Sequence, residues 1–148
     1  MKKILSFNTR LGWMTAIEKD DKITELKFMK KKSEGKSLIL QKIKKNVNDF
    51  FSKKIKSFNF PYKIHGSNLQ IRIWRELKKI PYGQTKSYGA IAKIVKTSPR
   101  YVGNVCGQNK HLLVIPCHRV IRTDGSLGGF SGTGGLSLKK RLLKLEKQ

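Results

Sequence analysis

A chain of 148 residues, 38% of them hydrophobic, can bury one core or two small lobes without staples. Thirty-three Lys and Arg against nine Asp and Glu give a net charge of +24, a field that attracts polyanions, nucleic acid foremost. No apolar run approaches the roughly 18 residues that span a bilayer, and two cysteines with no CxxC spacing argue against a disulfide framework and a structural metal.

The excess charge is spread over the chain and is not a tail: residues 1–66 hold 17 basic and 6 acidic side chains, residues 67–148 hold 16 and 3. A lysine-rich surface with no polyanionic partner would look the same, so charge alone leaves both readings open. The basic start is followed by Asn8, Thr9 and Arg10, which interrupt any signal-like apolar stretch. A cytoplasmic protein is expected, nucleoid-associated if the source is prokaryotic, with no membrane partner.

In chain order, residues 2–28 read as three short strands with a break at Leu11-Gly12 and a polar turn at Lys19-Asp20-Asp21-Lys22. Ile39, Ile43, Val47 and Phe50/Phe51 recur at helical spacing within 36–51, with lysines on a solvated face. Phe58, Phe60, Tyr62 and Ile64 alternate and predict a fourth strand. This stretch carries no evident chemistry, and His65 reads as structural. Ser67 and Gln70 fit a capping box ahead of the stripe Leu69, Ile73, Leu77, Ile80, which Pro81 ends. Ser87 can cap a second helix bearing Ile91, Ile94 and Val95. Ser98 and Pro99 then start a third, from about Arg100 to Gln108. Two short helices joined by a tight turn have the shape of a helix-turn-helix led by Arg100 and Tyr101, or of an ordinary helical hairpin. Leu136 to Glu146 forms a short basic helix whose Lys139, Lys140 and Arg141 are expected to face solvent. Cys106 is expected to be a packing residue.

The chemistry lies in between. The apolar run Leu112–Ile115 delivers Pro116-Cys117-His118-Arg119. A thiol beside a histidine is a candidate activated nucleophile. If the segment is extended, the two side chains point to opposite faces and a bridging water would carry the proton. The histidine needs an acid to orient it, and Glu76, Asp124 and Glu146 all remain open. The glycine-rich stretch 125–135 lacks the Lys-Ser/Thr of a P-loop and does not match G-x-G-x-x-G, so a nucleotide cradle is not expected. It suits a pocket lid, with Ser131 as a hydrogen-bond donor.

At Ile115-Pro116-Cys117-His118-Arg119-Val120 the sequence resembles the O6-alkylguanine-DNA alkyltransferase family (methylated-DNA–protein-cysteine methyltransferases). Supporting matches follow in order: Ile80-Pro81-Tyr82-Gly83, Ser87-Tyr88-Gly89, Arg100-Tyr101-Val102-Gly103-Asn104, Asn109 and Gly128-Gly129-Phe130-Ser131-Gly132. They cover residues 67–148 and thin out over 1–66. The chain departs from the family at Lys110, where proline is usual, at Phe130, where tyrosine is frequent, and in a glycine loop two residues longer.

The resemblance implies an α+β fold. Residues 1–66 would form a supporting lobe of antiparallel strands with a helix. Residues 67–148 would form a mainly helical lobe for DNA binding and alkyl transfer, holding the helix-turn-helix and the Pro-Cys-His-Arg segment. It implies single-turnover transfer of an alkyl group from O6 of guanine in double-stranded DNA to Cys117, by a monomer that needs no cofactor and no metal. His118 would deprotonate Cys117 through a water, Glu146 would orient His118, and Asn109 would hold the preceding turn. Tyr88 would help flip the nucleotide and hydrogen-bond N3, and Ser131 would donate to O6. The carbonyls of Cys117 and Val120 would receive the exocyclic amine. Arg100 would fill the gap in the base stack, with Tyr101, Gly103 and Asn104 on the DNA-facing helix, docked in the minor groove. Two other classes remain: an alkyltransferase-like protein that binds damage without repairing it, and a Cys-His thiol hydrolase.

Overall fold

The computed structural model describes residues 1–129 and 135–147, in two compact units, 1–64 and 65–148. The first begins with an antiparallel meander of β1 (Lys2–Thr9), β2 (Gly12–Lys19) and β3 (Lys22–Lys27). The β2–β3 turn is Asp20-Asp21, both at positive φ (53° and 64°). Short polar side chains tolerate that geometry, and its twist suits a two-residue hairpin. Met14 to Ile17 of β2 are buried, and α1 (Leu38–Phe51) packs on β1 and β2. Leu40, Ile43, Val47, Phe50 and Phe51 form its buried stripe, and Ser37 caps it by accepting from Leu40 N.

The predicted fourth strand is absent. Residues 58–64 make only an isolated bridge between Ile23 and Tyr62, with Ile23 N donating to the Pro61 carbonyl and Lys63 N to that of Ile23. Pro61 has no N–H to extend a ladder. The alternating aromatics instead stack: Phe58 lies 5.0 Å from Phe50 and 6.2 Å from Phe60, ring centre to ring centre.

In the second unit α2 (Asn68–Lys78) has the reciprocal capping box: Ser67 N donates to Gln70 Oε1 and Gln70 N to Ser67 Oγ. A two-residue strand, β4 (Lys86–Ser87), leads into α3 (Tyr88–Val95). Lys96 ends that helix in the left-handed conformation, and α4 (Pro99–Gly107) starts three residues later with Ser98 as cap and Pro99 in its first turn. These two helices are the expected helix-turn-helix. Trp74 Nε1 donates to the Val105 carbonyl at 3.3 Å, pinning α2 to α4. β5 (Val120–Ile121) pairs parallel with β4, and α5 (Gly135–Lys147) ends the unit. Among the described residues no helix is long and apolar enough to cross a membrane.

Candidate active site

The segment before the cysteine is not a strand. It is a tight loop built by Asn109, whose Nδ2 donates to the Ile115 carbonyl and whose Oδ1 accepts from His111 N, each at 2.8 Å. Leu113 sits at φ 74° within it, a conformation that costs a branched side chain roughly 1–2 kcal/mol. The buried amide bonds hold it there. Pro116 (φ −80°, ψ 65°) then makes an inverse γ-turn, with Cys117 N donating to the Ile115 carbonyl. Cys117–Arg119 form one turn of 3-10 helix, so the extended geometry assumed for the Cys-His pair is replaced by a turn. The two side chains nonetheless do not hydrogen-bond directly. His118 Nδ1 is buried with no hydrogen-bond partner among the described residues, and Nε2 lies 2.6 Å from Glu146 Oε2.

That contact selects among the three acids. Asp124 accepts from Ser126, and Glu76 pairs with Lys79. Glu146 is buried and also receives two hydrogen bonds from Arg119, Nε at 2.8 Å and Nη2 at 2.9 Å. Arg119 Nη1 donates to the Ile80 carbonyl at 2.9 Å, which ties the Ile80-Pro81 corner to the site. Burial works against the Glu146 charge, but the His118 and Arg119 hydrogen bonds outweigh it and hold its pKa at about 2. His118, fully buried, is pushed below the ordinary histidine range by desolvation, against the pull of Glu146. Cys117 is pushed up to about 11, again by burial, with the Asn109 hydrogen bond and the Lys139 charge opposing. At neutral pH the site therefore rests as thiol, neutral imidazole and carboxylate.

Cys117 opens into a cavity of about 700 Å³. One face of α4 lines it with Pro99, Arg100, Gly103, Cys106 and Gly107, and Tyr88, Arg122, Thr123, Gly128 and Gly129 complete the lining. Arg100 is exposed at the start of α4, and Asn104 is exposed with Tyr101 half-buried beside it. Val120 is buried; its N–H donates to the Cys117 carbonyl, and its own carbonyl accepts from Lys139. Ser131 and Phe130 lie outside the described residues. Among the described residues no cluster of His, Cys, Asp or Glu could hold a metal ion.

One expectation is corrected. Lys139 does not face solvent: its side chain is wholly buried, and Nζ donates to Tyr88 Oη and to the carbonyls of Val120, Leu127 and Gly129. Lys140 and Arg141 are exposed as expected. Cys106 is buried, as expected of a packing residue, and also lines the cavity with Cys117. The role of Arg119 as clamp on Glu146 was missed as well. Its place in the Pro-Cys-His-Arg run next to a buried histidine was the only signal available.

Residues 68–148 match the family model described as 6-O-methylguanine DNA methyltransferase, DNA binding domain. The chain is 35% identical over 144 residues to the methylated-DNA–protein-cysteine methyltransferase of Metallosphaera sedula, covering 95% of this chain and 90% of that protein. It is 41% identical over 104 residues to the inducible enzyme of that name from Bacillus subtilis, covering 69% and 57%. Among solved structures it resembles the Mycobacterium tuberculosis O6-methylguanine methyltransferase, with a TM-score of 0.88, 29% identity and coverage of 99% and 93%. It also resembles Mycobacterium tuberculosis OGT in complex with DNA, with a TM-score of 0.87, 31% identity and coverage of 97% and 92%.

Proposed function

Because this chain belongs to the 6-O-methylguanine DNA methyltransferase family, we propose that it repairs DNA by moving an alkyl group from O6 of guanine irreversibly onto its own Cys117. The observation that carries this reading is the thiol of Cys117 at the wall of an open cavity, with the buried His118–Glu146 pair at 2.6 Å behind it.

The O6 substituent of a paired guanine is not accessible in the duplex, so the nucleotide must leave the stack. Arg100, exposed on the cavity rim, takes its place, with Tyr101, Gly103 and Asn104 on the same helix against the minor groove. Inside, His118 is neutral and takes the thiol proton through a bridging water from its Nδ1 side, while ionised Glu146 stabilises the imidazolium. Sγ attacks the alkyl carbon. The S–C bond forms, the C–O6 bond breaks, and its electron pair stays on guanine. Tyr88, held protonated by a pKa pushed up to about 12 by burial, donates to N3 as charge develops there. The carbonyls of Cys117 and Val120 receive the exocyclic amine and Ser131 donates to O6. The thioether has no group to release it, so each molecule acts once. It acts as a monomer on duplex DNA in the compartment that holds the DNA, and the substrate itself supplies the alkyl group.

Intact mass after incubation with excess duplex bearing one O6-methylguanine tests this. One added methyl on the Cys117 peptide is expected, with none in Cys117→Ser, which still binds DNA. Binding with unchanged mass would indicate a damage-binding module, and multiple turnover a thiol hydrolase.

A further inference from the structure

Glu146 has a partner outside the Pro-Cys-His-Arg run. A carboxylate offers about four lone-pair sites. Oε2 lies 2.6 Å from His118 Nε2 and accepts from Arg119 Nη2 at 2.9 Å. Oε1 accepts from Arg119 Nε at 2.8 Å and from the Gly83 main-chain N–H at 3.3 Å. Gly83 reaches it from the turn that follows α2. Gln84 N donates to the Pro81 carbonyl at 3.0 Å, and Gly83 holds the third position of that turn at φ 82°, where left-handed geometry favours glycine. Space demands glycine as well: a Cβ there would meet the Glu146 main-chain carbonyl at 3.2 Å. The same turn touches the other half of the ion pair. The Arg119 guanidinium carbon stands 5.7 Å from the Tyr82 ring centre, within cation–π range, and Nη1 donates to the Ile80 carbonyl. Gly83 is exposed and Tyr82 half-buried, whereas the Glu146 side chain is 1% exposed, so the turn stands on the solvent side of the pair.

We infer that Tyr82 and Gly83 are positioning residues for the proton acceptor: by filling the last acceptor site of Glu146 and covering Arg119, the turn lets the carboxylate orient His118 without drawing a proton onto it before Cys117 reacts. The inference rests on the alkyl-transfer reading and deepens it. With N–H groups on all four sites, much of the carboxylate charge is already spent on Arg119 and Gly83. With one site vacated, or Arg119 loosened, more of that charge falls on His118 and favours the imidazolium at rest. The neutral imidazole that serves as the base is then scarcer at a given pH. Among the described residues the charges acting on His118 are Glu146 and Lys139 of α5 and the adjacent Arg119. Tyr82 is the titratable group that faces the pair from the turn. Burial first, and then the Glu146 charge, raise its hydroxyl pKa above the ordinary 10.0, so it stays neutral and adds no charge of its own.

The test follows the His118 ring nitrogens by NMR against pH in isotope-labelled wild type, Gly83→Ala, Tyr82→Leu and Tyr82→Phe. Single-turnover transfer from duplex carrying O6-methylguanine is measured over the same pH range. The chain has three histidines, and His118→Asn assigns the signal. Gly83→Ala and Tyr82→Leu should each raise the His118 midpoint, and with it the acid-side inflection of the transfer rate, by roughly half to one pH unit, which is a loss of roughly three- to tenfold in rate below the inflection. Tyr82→Phe, which keeps the ring, should retain the wild-type curves. A rate lowered by the same factor at every pH, with the His118 midpoint unmoved, would show that the turn only supports the fold and would overturn the inference while leaving alkyl transfer intact. So would a Tyr82→Phe midpoint displaced as far as that of Tyr82→Leu. A wild type that moves no methyl would instead overturn the alkyl-transfer reading, and the NMR titration would still decide what the turn does to His118. Should Gly83→Ala fail to fold, Tyr82→Leu against Tyr82→Phe carries the same comparison.

Discussion

Replacing Glu146 with Gln keeps the shape of the side chain and removes its charge. The carboxyl is held at about 2 against an ordinary 4.5. At 1.36 kcal/mol per pKa unit this gives about 3 kcal/mol of stability carried by the ionised form. Breaking a buried ion pair by removing one partner costs a similar 3–5 kcal/mol. Here it would leave the Arg119 guanidinium buried with only neutral acceptors, the new amide oxygen and the Ile80 carbonyl. The folded pKa is depressed, so this stability is fully present above pH 4.5 and is lost as the pH falls toward 2. Urea unfolding of wild type and Glu146→Gln should show a gap of about 3 kcal/mol at pH 7. That gap should close by about 1.4 kcal/mol per unit below pH 4.5 as the wild-type carboxyl takes up its proton. His118, whose folded pKa is lowered, costs wild type and variant alike some stability as the pH falls below about 6.5, so the prediction is read from the difference between the two curves. A gap at pH 3.5 equal to that at pH 7 would refute the electrostatic argument, as would a gap under about 1 kcal/mol at neutral pH.

Two further outcomes follow from the same geometry. Gly128→Ala places a side chain at φ 70° and drives its Cβ to 2.8 Å from the Tyr88 ring and hydroxyl; displacement of Tyr88 should slow transfer at least about tenfold in a stopped single-turnover assay, and an unchanged rate would mean that Tyr88 takes no part in the reaction. The transfer rate should fall on the acid side as His118 protonates, with an inflection below the ordinary 6.5, because burial lowers its pKa; a pH–rate profile inflecting above 6.5 would exclude neutral His118 as the base.

The strands, the main helices and their caps are local features, and the sequence shows them directly. The Ser67–Gln70 box, the Ser98-Pro99 start and the Asp20-Asp21 turn are all present as read. Residues 58–64 mislead because their alternation is real but is used for ring stacking and not for a ladder. Cys117 and His118 were legible as a pair because they adjoin. Their acid was not, since three candidates were equal by spacing and only the return of α5 brings Glu146 within 2.6 Å. Lys139 was illegible for a physical reason. A buried lysine usually announces itself by an acid at a matching position, and this one is satisfied by main-chain carbonyls, which have no residue identity.

Two buried cations stand in a half of the chain that has only three acids, and they are accommodated in opposite ways. Arg119 is neutralised by Glu146, so the pair adds no net charge behind the thiol. Among the described residues Lys139 is hydrogen-bonded by neutral oxygens alone, so its charge stays unneutralised behind the Tyr88 and Gly129 lining of the cavity. The thiol is costly to ionise there because burial raises its pKa, and Lys139 is the formal charge that opposes this. An anion formed as the proton leaves Cys117 is disfavoured by burial and favoured by the Asn109 hydrogen bond and the Lys139 charge, whereas the neutral resting thiol gains nothing from that charge. Had a carboxylate paired with Lys139, the lysine would be equally buried and equally well bonded, yet that difference between resting and reacting states would largely cancel.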